Sequence, residues 1–122
     1  MSRIFLFLLL TTNIVAQEFI DSDTFEAKTA KGITVVEFWA EWNSVNEVPF
    51  LEQLKSCDTY KVCITKSSSV SNEFNIVSIP TIVILNNGVE HSRFNPSIMM
   101  QTTATKKDIQ GVVDDIIMSR FE

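Results

Sequence analysis

Val35-Val36-Glu37-Phe38-Trp39-Ala40-Glu41-Trp42-Asn43-Ser44-Val45-Asn46 is an apolar run that stops at two asparagines. From Ile33 to Trp39 the residues are β-branched or aromatic with scarcely a break, the composition of a central strand buried on both faces. Before it, Phe19-Ile20 predicts a short strand. Asp21-Ser22 supply caps for a helix through Thr24 to Lys28, which Lys31-Gly32 ends. After it, a helix is expected from about Ser44 to Ser56, carrying Val48, Leu51 and Leu54. Tyr60 to Thr65 is the next strand, with Val62 and Ile64 on one face and Cys63 on the other.

Lys66-Ser67-Ser68-Ser69 is a polar loop, followed by one or two helical turns to Phe74. Ile82 to Leu85, the turn Asn86-Asn87-Gly88, and Val89 to Phe94 predict a hairpin, because Asn-Gly is a strong local hairpin signal. The last element is a helix. Thr105 caps it, Asp108 sits at the third position, and Ile109, Val112, Val113, Ile116 and Ile117 form one stripe. Gly111 lies off that stripe and costs about 1 kcal/mol relative to Ala. Strand and helix alternate up to the hairpin, which implies an α/β fold: a parallel core sheet covered on both faces, with antiparallel strands added. No repeat, linker or second domain is evident.

A chain of 122 residues is enough for one domain. Arg3, the apolar run Ile4 to Leu10, and the small residue Ala16 before Gln17 describe a secretory signal peptide over residues 1–16. The apolar stretch is shorter than the ~20 residues that span a bilayer, so no stable membrane insertion is expected after cleavage. The expected domain is residues 17–122, exported to a periplasm or secreted. Losing Arg3 would move the formal net charge from −5 to −6. An acidic chain without clustered Lys and Arg gives no support to nucleic-acid binding.

Three local features resemble the thioredoxin family. Phe38 to Trp42 matches its strand and the start of its active-site turn. Ile79-Pro80-Thr81 is similar to its Ile-Pro-Thr, where the proline follows a cis bond. Asn86-Asn87-Gly88 resembles its hairpin turn. The resemblance runs from Phe19 to about Ile117 and implies a thioredoxin-like three-layer sandwich, a mixed central sheet of about five strands flanked by helices. Asn43 and Asn46 stand where the family carries both redox cysteines.

Other departures accompany that one. Glu37 takes the place of the family's buried Asp, and Lys61 that of its buried Lys. The resemblance implies a buried Glu37–Lys61 pair, against the alternative of a surface Lys and a rim Glu. Pro49 lies closer to the turn than the family's helix proline. Asn95-Pro96 replaces a glycine, and Ser97 to Ala104, with Met99-Met100, has no counterpart of similar length.

At a helix start, free amides and the helix dipole lower a thiol's pKa and make it nucleophilic. A carboxamide neither ionises in this range nor carries electrons. Asn43 is nevertheless a favoured N-cap, so Asn43 and Ser44 are expected to preserve the helix start, with direct ligand contact as the alternative. Cys57 and Cys63 leave three arrangements open: a disulfide, two separate buried thiols, or a reactive pair. His91 has no partners at ligand spacing, so neither a metal site nor a cofactor is expected, and it is placed on an exposed edge strand.

The family offers the backbone before its cis proline to an extended peptide. By resemblance, Trp42, Asn43, Ser44, Asn46, Ile79, Pro80 and Thr81 line that contact surface, although the same residues also suit plain packing. Met99-Met100 suits either an adaptable contact surface or a gap over the core. The expected function is a non-catalytic module that binds a protein or extended peptide segment, or a chaperone-like one. The alternatives are thiol–disulfide exchange through Cys57 and Cys63, and an assembly role for the Met99-Met100 loop.

Overall fold

The computed structural model describes residues 17–121, and the expected leader at residues 1–16 lies outside them. Five strands, β1 (Glu18–Phe19), β2 (Ile33–Trp39), β3 (Asp58–Cys63), β4 (Thr81–Asn86) and β5 (Val89–Phe94), form one sheet in the order β1-β3-β2-β4-β5. β1, β3 and β2 run parallel, while β4 and β5 are antiparallel. The helices are α1 (Phe25–Thr29), α2 (Ser68–Glu73) and α3 (Lys106–Ser119).

Alternation along the central strands splits the core into two layers. Val36, Phe38 and Val62 face Phe25 of α1 and Val70 of α2, where Phe74 meets Phe25 and Phe38 ring to ring. Val35, Ile82 and Ile84 face Ile109, Val113 and Ile116 of α3. Thr105 caps α3 through a reciprocal box, its hydroxyl accepting from the Asp108 amide at 3.1 Å while Asp108 accepts from the Thr105 amide at 2.9 Å. Asn87 and Gly88 both have positive φ, the geometry of the tight hairpin turn that Asn-Gly favours. Asn87 also accepts from the Gly32 amide at 2.8 Å, fixing the turn to the entry of β2.

One expected element is absent. Between β2 and β3 the chain makes two short 3₁₀ turns, Glu41–Asn46 and Leu51–Gln53, instead of a helix from Ser44 to Ser56. Pro49 explains the break: it disfavours helical geometry at Val48 and supplies no amide. The Val48 amide is already committed, donating to Glu37 Oε2 at 3.2 Å. Val48, Leu51 and Leu54 are buried on the α3 side, as their spacing implied. β3 also begins earlier than expected, at Asp58.

Candidate functional site

The turn after β2 is held from below by Ala40, which is fully buried and whose carbonyl accepts the Asn43 amide at 3.0 Å. Asn43 does not cap a helix. It sits inside the first 3₁₀ turn with non-helical φ −116° and ψ 20°, and the N-cap position belongs to Ala40. Its side chain is occupied elsewhere. Asn43 Nδ2 donates to the Met100 carbonyl at 3.1 Å, and Asn43 Oδ1 accepts from Asn46 Nδ2 at 2.8 Å. Asn46 Oδ1 in turn accepts from Gln101 Nε2 at 3.5 Å. The two substituted positions are thus wired to each other and to the loop that follows β5.

Around that wiring the surface is apolar and open. Trp42 is 62% exposed, Val45 90%, Ile98 100% and Met99 72%. Ser44 is exposed and Asn46 half-buried. Ile79, Pro80 and Thr81 differ from expectation. The Ile79-Pro80 bond is cis, but all three residues are buried. Ile79 packs with Val70 and Phe38 in the α1–α2 layer, and Thr81 Oγ1 donates to the Ser78 carbonyl at 2.6 Å. These residues support the turn from beneath and do not form an open groove.

Glu37 and Lys61 are both buried and occupy opposed positions on β2 and β3. They do not form the expected ion pair. Lys61 reaches to Glu47, just past the turn, and lies over the rings of Phe19 at 5.6 Å and Trp39 at 5.8 Å. Glu37 Oε1 has no hydrogen-bond partner among the described residues. Burial pushes the Glu37 carboxyl up to about 7, against the Val48 hydrogen bond and the nearby Lys61 charge. Burial lowers the Lys61 pKa, and Glu37 opposes that shift.

Cys57 and Cys63 are free thiols. β3 separates them by roughly 20 Å at ~3.3 Å per residue, far beyond the ~7 Å between Cα atoms that a disulfide tolerates. Burial, with Asp58 and Asp114 adding to it, pushes the Cys57 thiol up to about 11. Cys63 is different. Burial raises its pKa, but hydrogen bonds to Thr65 and Lys66 and the Lys66 charge outweigh that and lower it. It borders a cavity of about 410 Å³ with Phe19, Trp39 and Lys66. His91 lies on the edge strand β5, exposed, with Nδ1 2.7 Å from Ser92 Oγ.

Reading the sequence missed Glu47 and Gln101. Glu47 becomes the Lys61 partner because the chain leaves helical geometry there. Gln101 carried one signal: it is the polar amide that follows Ile98-Met99-Met100, in the segment with no family counterpart of similar length.

A parallel–antiparallel five-stranded sheet, a cis proline under the turn after β2, and helices on both faces define a thioredoxin-fold domain. The thioredoxin family model matches residues 16–114, and the chain belongs to that family. It is 34% identical over 74 residues to a thioredoxin of Mycoplasma genitalium, covering 56% of this chain and 72% of that protein. Identity to a thioredoxin of Staphylococcus epidermidis is 31% over 75 residues, covering 56% and 71%. Among solved structures, a mutant thioredoxin from Halobacterium salinarum aligns with a TM-score of 0.65 at 11% identity, covering 81% of this chain and 88% of that one. A designed protein aligns with a TM-score of 0.66 at 20% identity, over 84% and 98%.

Proposed function

We propose that this thioredoxin-family domain is a binding module and not a dithiol oxidoreductase, and that it holds a short, extended, apolar polypeptide segment against the turn. One observation carries the reading: the positions of the redox cysteines hold Asn43 and Asn46, whose amides are bonded to each other and to the Met100 carbonyl. Neither free thiol is in that circuit. The exposed Trp42, Val45, Ile98 and Met99 supply apolar surface beside it. Four side chains fall short of the ~800 Å² per partner that a stable folded interface covers, which favours a short unfolded segment over a globular partner. The exposed Glu41 at the margin favours a basic residue flanking the apolar ones. The reading includes export, on the strength of Arg3 and the Ile4 to Leu10 run, and N-terminal sequencing of the cell-derived protein tests it.

Two measurements test the module. Insulin reduction by dithiothreitol, followed as turbidity, is expected to proceed at the protein-free rate. Reduced, carboxymethylated α-lactalbumin, a permanently unfolded chain, is expected to bind by fluorescence anisotropy, and less tightly to Trp42→Ser. Catalysed insulin reduction, or affinity unaffected by Trp42→Ser, overturns the reading.

A further inference from the structure

The amide bonds at the turn form a circuit that starts and ends in one loop. Gln101 donates to Asn46, Asn46 to Asn43, and Asn43 to the carbonyl of Met100, the residue next to Gln101. The Met100 carbonyl can only accept, so it fixes the orientation of each amide along the chain. The loop is itself closed: Ser97 N–H donates to the Gln101 carbonyl at 2.8 Å and Met100 N–H to the Ser97 carbonyl at 3.0 Å. Met100 has φ 57°, the left-handed region a non-glycine residue enters at a cost. A tight, strained turn carrying Ile98 and Met99 in solvent has little core of its own to hold it.

We propose that Asn43 and Asn46 are positioning residues that fasten the 97–101 loop to the turn after β2, joining Ile98 and Met99 to Trp42 and Val45 as one preformed recognition surface. This rests on the binding reading above and adds what builds that surface. A thiol could not take the post, because sulfur is a weak donor and a weak acceptor, whereas a carboxamide does both at once. Preforming the surface removes the ordering cost that a loose, Met-bearing loop would otherwise bring to binding. The substitutions that end electron transfer and the loop that departs from the family pattern are therefore two halves of one device.

The test pairs hydrogen exchange with affinity for carboxymethylated α-lactalbumin. Asn43→Asp keeps the size and the acceptor and removes the donor to Met100. Its expected effect is at least tenfold faster exchange at the Ser97 and Met100 amides, unchanged exchange at Val36 and Ile84, and roughly tenfold weaker binding. Met99→Ser is expected to weaken binding with loop exchange unchanged. Should Asn43→Asp fail to fold, the double variant Asn46→Ala, Gln101→Ala removes the other two links, leaves Asn43 on the Met100 carbonyl, and is expected to change loop exchange and binding in the same direction. Unchanged loop exchange in the circuit variants overturns the latch, whatever the affinities. Binding that ignores both Met99→Ser and Trp42→Ser instead overturns the binding reading, while exchange still judges the latch.

Discussion

Glu37 and Lys61 stand opposite each other on adjacent parallel strands, yet the lysine turns away to Glu47 and leaves the carboxyl with one amide, that of Val48. A fully buried carboxyl without a direct cation is more stable protonated. Its position couples this proton to the turn, because Val48 lies two residues past the first 3₁₀ segment and precedes Pro49. The family's acid–lysine pairing survives here as a register without a contact.

Stability should therefore vary with pH through Glu37. Its pKa rises from 4.5 to about 7 on folding, so the folded state keeps a proton that the unfolded chain releases. The contribution is complete below about pH 4.5, declines as pH rises through about 7, and amounts to about 3 kcal/mol. Urea unfolding between pH 4.5 and 8 measures it. Glu37→Gln keeps an acceptor for the Val48 amide and should flatten the curve over that window. A Gln variant with the wild-type slope would assign the effect to another group.

Lys61→Met tests the same relationship from the other side. The stem stays against Phe19 and Trp39, and Glu47, which is partly exposed, returns to water. The stability cost is expected to be modest, about 1 kcal/mol at pH 5. The Lys61 charge now lowers the Glu37 pKa, so its loss should move the inflection of the pH–stability curve upward. An inflection that stays in place would mean that the two side chains do not sense each other.

The two thiols should differ in reactivity. At pH 8 the Cys57 thiol, raised to about 11, holds its proton although it is half-buried, whereas Cys63, the more buried of the two, is lowered and is reached through a cavity beside Lys66. Since the thiolate is the nucleophile, iodoacetamide should modify Cys63 first in the native protein. A mass-spectrometric time course reads the order directly. Faster labelling of Cys57, or an intact mass showing a Cys57–Cys63 bridge, would contradict the arrangement.

Much of this fold is legible from local rules. β2 and β5 begin and end where β-branched continuity and the Asn87-Gly88 turn place them, and Thr105 caps α3 as its capping box requires. Legibility fails where a distant contact decides. Leu51 and Leu54 have helical spacing and are buried, but Pro49 and the Val48–Glu37 bond break the helix that would have carried them. Asn43 has strong cap propensity, and that preference loses to a carbonyl far along the chain at Met100. The opposed positions of Glu37 and Lys61 are what the family resemblance implied. Glu47 as the lysine's partner is not, because its place depends on the broken helix.

Restoring sulfur with Asn43→Cys and Asn46→Cys should give a poor enzyme. Asn43 and Asn46 side chains already touch at 2.8 Å, so the introduced pair should close into a disulfide. Exchange with a client also needs an accessible, low-pKa thiol at a helix N-terminus. Position 43 instead lies buried in a 3₁₀ turn, beside the Met100 carbonyl. Insulin turbidity should show reduction at least about tenfold slower than by a thioredoxin, with an intact mass confirming the bridge. Replacing Ser97 to Met100 by two glycines in the same background removes the flanking loop and should raise the rate. Full activity in the double cysteine variant with the loop intact would show that the loop leaves position 43 open, and that sulfur alone was missing.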